Sequence, residues 1–444
     1  MPVSFLQIII SLLAGISIII LLTAKFRIHA FFALLLACFV VGLGVQMPFA
    51  EIITTAKQGF GHIMQSLGLI IVLGTALGVV LEHTGATQVM ANFILRKTGQ
   101  KNAPAAMSIT GFITGLPIFC DSGYIVLSGL NQSLAKRTGI SVAVMASSLA
   151  TGLYSVHCLI PPHPGATAAA ATIGIGTDEF GKLIVYGISI AIPASIAGYY
   201  WTKFAGRKYG IAGEIKETAV QTNLTIPVIS AFLPVILPIL LIAVKSFLSI
   251  EGNGGSLLVK IFAVLGDPVI ALIVGLLLAF AGYRNWKKEA ISKLLTDAAE
   301  KSGGILVIIG AGGAFGAILS ATNIGEHFGA SLPLDRMGIL FPFLLTFVLK
   351  TAQGSSTVAI ITAASVVAPL LSSLGLQSNE GKILAVLSMG AGSMMISHAN
   401  DAYFWVIAKF SGLEMKTMLK VYSVATIWMG LVSLAMLYIV SLFI

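Results

Sequence analysis

The side chains that could bind a ligand or a proton are concentrated in four short polar stretches, each of which interrupts a long apolar region. The stretches are GLPIFCDSG (115–123), LIPPHPGAT (159–167), KTAQGSST (350–357) and SHANDA (397–402). Proline removes a backbone donor and clashes with the preceding turn, so no regular helix runs through 159–167. Each break creates a new helix N-terminus, whose free N–H groups and positive dipole end attract anions. Together with the hydroxyl and amide side chains, this pattern suits a small hydroxylated carboxylate.

We expect the helix ends to hold the carboxylate, and the amide and hydroxyl side chains to bond the substrate hydroxyls. The expected substrate-binding residues are Asp121, Ser122, His163, Thr167, Gln353, Gly354, Ser355, Ser356, Thr357 and Asn400. Lys350, at the edge of one break, is the only lysine or arginine in the four stretches, so the anion is expected to rely on dipoles and hydroxyls. Structural roles are the alternative: Asp121 and Asn400 could cap helices, and the serines and threonine of 354–357 could pack between membrane helices.

A proton is the expected coupling ion. Moving one negative charge into an inside-negative cell costs about 2.3 kcal/mol per 100 mV, and a co-transported proton would cancel that cost. Ionisable groups within membrane segments are functional by default. The expected proton-coupling residues are Asp121, His157, His398 and Asp401.

The composition is that of a protein embedded in a bilayer almost throughout. Of 444 residues, 57% are hydrophobic and 10% are charged, whereas a soluble domain carries about 25% charged residues. The net charge of +9 is scattered through short loops, which excludes a nucleic-acid-binding domain. The cysteines at 38, 120 and 158 have neither metal-ligand spacing nor a disulfide pattern, so we expect no metal site and no cofactor. The N-terminal MPVSFLQ lacks the basic region of a signal peptide, so the first apolar run is expected to be retained as a helix.

Apolar runs long enough to approach the roughly 30 Å of a hydrocarbon core recur along the chain. The uninterrupted runs are 5–24, 30–45, 66–81, 182–201, 224–247, 268–283, 303–321 and 418–444. The four polar stretches interrupt 103–134, 140–176, 337–371 and 382–410. The fold class predicted from this pattern is an all-α polytopic membrane protein.

The order of these segments repeats. SLGLIIVLGTALGVVL at 66–81 corresponds to SGGILVIIGAGGAFGAIL at 302–319, and in both halves an interrupted run, a break carrying a histidine and a closing span follow. If 103–134 and 337–371 are re-entrant helical hairpins, each half crosses the membrane five times, so the second half is inverted relative to the first. We therefore predict a first repeat at 1–205, a cytoplasmic linker at 206–223 and a second repeat at 224–444, each repeat with a hairpin and a broken helix.

Charge supports this topology. With both termini outside, 19 of the 26 lysines and arginines fall on the cytoplasmic side, six fall outside and Lys350 lies in a hairpin. Interrupted segments at matching positions of two inverted halves point to the central site of a transporter.

The motifs GLPIFCDSGY, PPHPGAT, AQGSSTVA and SHANDAYFW, in this order over nearly the whole length, resemble the gluconate permease (GntP) family. The resemblance implies a transporter and not an enzyme: a bacterial inner-membrane symporter that takes up gluconate, another sugar acid, D-serine or a small hydroxy acid together with a proton by alternating access. It also implies the ion transporter superfamily fold and a homodimer with separate scaffold and transport parts. Four positions beside the expected site depart from the family pattern, which leaves the particular substrate open. Cys120 replaces an aromatic residue, Ala166 replaces proline, and Ala402 and Tyr403 follow the Asn-Asp pair.

Two other transport modes remain open at this point. A cation/proton antiporter would use Asp121 and Asp401 but would leave the serine, threonine, glutamine and asparagine clusters unexplained. A sodium-coupled carboxylate symporter of the same superfamily fold could hold sodium on unwound carbonyls near Gly123 and Gly354. An intramembrane hydrolase is disfavoured, because the chain has no nucleophile elbow and no metal-binding pair.

Overall fold

In the computed structural model, the described residues are 5–209, 226–248, 257–284, 286–322 and 336–443, and throughout these ranges the regular structure is helical. The helices of the first half are α1 (Phe5–Ile20), α2 (Ala30–Gly44), α3 (Phe49–His83), α4 (Ala86–Thr98), α5 (Ala103–Gly115), α6 (Cys120–Thr138), α7 (Val142–Leu159), α8 (Pro164–Ile173) and α9 (Phe180–Gly206). Those of the second half are α10 (Val228–Leu248), α11 (Leu257–Leu265), α12 (Pro268–Ala281), α13 (Lys288–Ala321), α14 (Leu340–Gln353), α15 (Ser356–Val367), α16 (Asn379–Met394), α17 (Ala402–Ser411) and α18 (Met415–Val440). The predicted all-α fold is confirmed.

The helices have the lengths that a multi-pass membrane protein requires. Seven helices in the described part of the chain are long and apolar enough to cross a bilayer. The apolar helices α2 and α12 have 15 and 14 residues, or only about 21–23 Å at 1.5 Å per residue. Five crossings in each half also require these two helices and the α16–α17 segment to span, so the count of ten crossings stays a prediction.

All four predicted breaks interrupt helices. The chain leaves helical structure between α5 and α6, α7 and α8, α14 and α15, and α16 and α17. Pro164 occupies the first turn of α8, where its missing N–H costs no intrahelical bond. Asp267 before Pro268 is the pattern of an ordinary helix start, and Asp267 Oδ1 indeed accepts a bond from Val269 N at 2.9 Å at the beginning of α12.

The two longest helices, α3 and α13, form the central pair. Each exceeds the apolar run predicted for it, and at about 50 Å each is longer than a hydrocarbon core. Gly59 packs on Gly313 near one end of the pair, and Val79 clusters with Leu294 near the other, so the helices are antiparallel. Antiparallel packing is what inverted counterparts require, although the inverted repeat as a whole stays a prediction.

The two halves interlock through their interrupted segments. The second arm of the first hairpin, α6, packs against α17, and the second arm of the second hairpin, α15, packs against α8. Within each half, the first hairpin arm lies against the helix before the break: Gly152 of α7 contacts Ser108 O of α5, and Gly392 of α16 contacts Phe343 O of α14. A side chain at either glycine would overlap the facing carbonyl. This packing holds the segments beside the four breaks against one another.

Three basic residues predicted to share one side of the membrane lie at one end of the bundle. Lys182 Nζ lies 2.9 Å from Glu179 Oε2 and 3.8 Å from Glu380 Oε1. Lys245 is paired with Asp178, and Lys382 donates to Gly174 O at 3.4 Å. Which side of the membrane this end faces stays a prediction, and so does the repeat division. The part of the predicted linker 206–223 that follows Tyr209 lies outside the described residues.

Candidate functional site

The first junction joins the break after α7 to the tip of the first hairpin. His163 precedes α8, is only 3% exposed, and its Nε2 lies 2.6 Å from Gly115 O at the end of α5. The ring of His157, in the last turn of α7, lies edge-on to the His163 ring with centroids 4.9 Å apart. Phe119, at the tip of the hairpin, contacts both imidazoles. Both histidines are therefore held between the hairpin tip and the broken helix.

The second junction joins the tip of the second hairpin to the start of α17 through charged groups. Lys350, in the last turn of α14, is 0% exposed, and its Nζ lies 2.7 Å from Asp401 Oδ2 and 2.5 Å from Gly354 O. Asp401 is 5% exposed; its Oδ1 caps α17 by accepting from Tyr403 N at 3.0 Å, and its Oδ2 also accepts from Ser397 Oγ. The cation therefore lies at a helix C-terminus and the anion at a helix N-terminus, where each is favoured by the helix dipole.

The tip of the second hairpin is a tight turn. Gly354 has φ +85°, the left-handed conformation that favours glycine, and a Cβ at this position would overlap Asn400 O. Asn400 Nδ2 donates to Thr351 O at 2.6 Å, and Ser355 Oγ caps α15 by accepting from Val358 N at 3.3 Å. Asn400 and Ser355 therefore also fasten the backbone of this junction.

A direct contact links the two junctions. Thr357 Oγ1, in the first turn of α15, lies 3.5 Å from His157 Nε2. Gly165, in the first turn of α8, packs against Ile360 and the backbone of Thr357. The starts of α8 and α15, which belong to opposite halves, therefore adjoin each other beside His157.

Several polar atoms on these elements are buried without a protein partner. Among the described residues, they include His157 Nδ1, Thr167 Oγ1, Thr351 Oγ1 and both amide heteroatoms of Gln353. The N-termini of α6 and α8 also lack a side-chain cap. Buried polar groups are almost always hydrogen-bonded in native proteins. These unmatched groups lie on the segments that flank the breaks, where they could bond a polar ligand or water.

The remaining predicted site residues lie on the same elements with fewer contacts. Asp121 is half-buried in the first turn of α6, where its Oδ1 accepts from Cys120 Sγ at 3.6 Å and makes no cap for that helix. Ser122 follows it, and Ser356 is buried in the first turn of α15. His398 lies in the loop before α17, where its carbonyl accepts from Asp401 N at 2.8 Å.

Two features of the site were not predicted from the sequence: the partner of Asp401, and an aromatic contact between α7 and α17. The sequence pattern places Lys350 only at the edge of a break, although a lysine within an apolar run is itself a signal for a buried pair. Tyr154 of α7 stacks on Tyr403 of α17 with centroids 5.6 Å apart. The Tyr154 hydroxyl donates to Ser393 O and the Tyr403 hydroxyl donates to Ala150 O, which joins the broken helices of the two halves.

Comparison with characterised proteins agrees with the geometry. The chain matches the model of the GntP family permease over residues 6–443. It is 32% identical over 442 residues to a gluconate permease of Pseudomonas aeruginosa, with 97% of each chain covered. It is 31% identical over 440 residues to the D-serine transporter DsdX of Escherichia coli K12, again with 97% of each covered.

A solved structure shares the fold at low sequence identity. The crystal structure of the YdaH transporter of Alcanivorax borkumensis superimposes with a TM-score of 0.66 at 15% identity, covering 93% of this chain and 97% of that one. The family match extends over nearly the whole chain and includes all four polar breaks. The chain therefore belongs to the GntP family of permeases.

Proposed function

We propose that this permease is a secondary active transporter that takes up a small hydroxylated carboxylate, gluconate or a related sugar acid, together with a proton by alternating access. The observation that carries the proposal is the cluster of buried, unpartnered polar atoms on the helix breaks that interlock the two halves. The names of its relatives, gluconate permeases and a D-serine transporter, support a substrate that combines a carboxylate with a hydroxyl group.

The carboxylate of the substrate would bind at the uncapped N-termini of α6 and α8. Their first N–H groups have no intrahelical acceptor, and the helix dipoles favour negative charge there. In contrast, Ser355 and Asp401 already occupy the N-termini of α15 and α17. Asp401 would repel an anion if its charge were not balanced by Lys350.

The hydroxyl groups of the substrate would bond the side chains that lack partners. Thr167 and Gln353 carry unmatched polar atoms, and the Thr357 hydroxyl lies 3.5 Å from His157 Nε2 at the start of α15. A glutamine amide both donates and accepts, so it can bond a hydroxyl in either direction. Asn400 is exposed and retains its amide oxygen for a ligand while its Nδ2 holds Thr351 O.

Proton coupling would arise from competition at the start of α6. Asp121 lies in the first turn of this helix, so its ionised carboxylate and the substrate anion would occupy the same favourable end of the dipole. Protonation of Asp121 removes that repulsion, and the anion and the proton then bind together. His157, whose Nδ1 has no hydrogen-bond partner and whose ring contacts Phe119 immediately before α6, is the second candidate carrier of the proton.

Uptake by purified protein in liposomes tests the proposal. An inward proton gradient is imposed, and labelled gluconate, glucuronate, glycerate, lactate and D-serine are offered in turn. Uphill uptake that a protonophore abolishes and that sodium does not change would support proton symport and identify the substrate. Loss of the proton gradient driven by a metal cation, with no uptake of any acid, would contradict symport and favour an antiporter.

A further inference from the structure

The pair Lys350–Asp401 takes no part in the proposed substrate contacts, although both side chains lie at the centre of the site. The ammonium group is completely buried and already donates to the Asp401 carboxylate and to the Gly354 carbonyl. Complete burial leaves no exposed surface through which a substrate carboxylate could contact this group. The lysine is therefore not placed to bind the transported anion.

The groups around the ammonium have the composition of a cation site. A carboxylate oxygen lies at 2.7 Å and a backbone carbonyl oxygen at 2.5 Å, and the Ser397 hydroxyl bonds the same carboxylate oxygen. Carboxylate and carbonyl oxygens are also the ligands that hard inorganic cations prefer. Without a cation in this place, the Asp401 charge would be buried and unpaired, which is strongly unfavourable.

We propose that the Lys350 ammonium is a tethered cation that fills, between the tip of the second hairpin and α17, the place that a sodium ion would otherwise occupy. This inference rests on the proposed symport function and identifies the residue that makes transport independent of sodium. Because the cation is covalently attached, Asp401 stays neutralised throughout the transport cycle. The ion that crosses with the substrate then has to bind elsewhere, in agreement with a coupling proton carried by Asp121 or His157.

The test replaces the tethered cation by a free one. Wild-type protein and Lys350→Ala are reconstituted in liposomes, and substrate uptake is measured in choline, sodium or methylammonium chloride. The Tm of the same purified proteins is measured in detergent in each salt. We expect Lys350→Ala to transport at least about tenfold more slowly than wild type in choline, because an unpaired buried carboxylate is destabilising. Sodium or methylammonium should restore uptake severalfold and raise its Tm, while wild type should not respond.

Two controls separate charge from other effects. Lys409→Ala removes an exposed lysine from α17 and should behave as wild type in every salt. The double variant Lys350→Met/Asp401→Asn removes both charges and should melt at the same temperature in every salt.

Several outcomes would overturn the inference. A sodium requirement for uptake by wild type would overturn it, whether or not the variant folds. A folded Lys350→Ala whose uptake and Tm are the same in all three salts would also overturn it. If wild type takes up none of the acids, the symport proposal fails, while the melting series still decides whether sodium occupies the vacated place.

Discussion

In each half of the chain, a carbonyl at the end of the first hairpin arm lies within hydrogen-bond distance of a basic side chain, but the two side chains come from different segments. In the first half, the imidazole Nε2 of His163, from the break between α7 and α8, lies 2.6 Å from Gly115 O. In the second half, Lys350 of the hairpin arm itself donates to Gly354 O and to Asp401 Oδ2, and Asp401 also caps α17. The first junction leaves the starts of α6 and α8 uncapped, whereas the second has a cap on both α15 and α17.

This difference indicates that the two junctions have different roles. A charged pair with capped helices has its hydrogen-bonding capacity consumed internally and serves to fix one hairpin against one half-helix. A histidine contact with uncapped helix ends leaves donors for an anion and a titratable group nearby. We therefore expect substitutions of the charged pair and of the caps in the second junction to act mainly on stability, and those in the first junction mainly on transport.

Breaking the charged pair should give the largest effect on stability. Lys350→Met leaves Asp401 buried and unpaired, and losing one partner of a buried pair costs about 3–5 kcal/mol. The double variant Lys350→Met/Asp401→Asn should recover most of that loss. Thermal unfolding in detergent measures both. A single variant as stable as wild type would contradict the assignment of the pair as the anchor of this junction.

Replacing Gly354 at the tip of the second hairpin should cause the second largest loss of stability. Gly354→Ala places a Cβ both in the left-handed conformation and against Asn400 O. Gly375→Ala is the matched control, since Gly375 has φ +70° and, apart from its own chain neighbours, no residue lies within 4 Å of the point that its Cβ would occupy. Both variants bear the conformational cost of about 1–2 kcal/mol, and Gly354→Ala should lose about 1–3 kcal/mol more through overlap. Equal Tm losses in the two variants would show that the contact with Asn400 is unimportant.

The histidine of the first junction should affect transport more than stability. His163→Ala leaves Gly115 O without its partner, at a cost of about 1–3 kcal/mol. Because the same contact positions the hairpin tip beside the anion site, we expect initial uptake rates to fall by more than the Tm shift alone would explain. Normal uptake at saturating substrate by folded His163→Ala would reduce its role to packing.

The hydroxyls of the second hairpin should give the smallest change. Ser355→Ala removes the cap of α15, worth about 1 kcal/mol, whereas Thr357→Val keeps the side-chain shape and removes only the hydroxyl beside His157. We expect Thr357→Val to raise the apparent KM and Ser355→Ala to lower the Tm. An unchanged KM in Thr357→Val would assign this hydroxyl to packing.

Local rules are sufficient to predict the breaks but not the partners across them. Three prolines within four positions (161, 162 and 164) stop the helix that precedes them, whereas single prolines at 193, 234 and 238 lie inside α9 and α10. Asp267 before Pro268 begins a helix. The pair Lys350–Asp401, in contrast, joins residues 51 positions apart, and no local pattern specifies which buried charge meets which.

The two break histidines show a second limit of the sequence pattern. Their order along the chain predicts similar places for His157 and His398, yet His157 ends α7 and His398 lies in the loop before α17. The longer second break accounts for this shift, because α16 ends at Met394, before the histidine. Sequence order therefore predicts which segment carries a side chain, but not whether that side chain lies on a helix or in the break.

The coupling of proton to anion at Asp121 is most directly tested by recording the pH inside liposomes when gluconate, or the acid identified above, is added without an imposed gradient. We predict that the lumen acidifies as the substrate enters wild-type liposomes. Asp121→Asn should still exchange labelled for unlabelled substrate but should no longer acidify the lumen. Substrate entry without acidification in wild type, or full acidification with Asp121→Asn, would contradict the account.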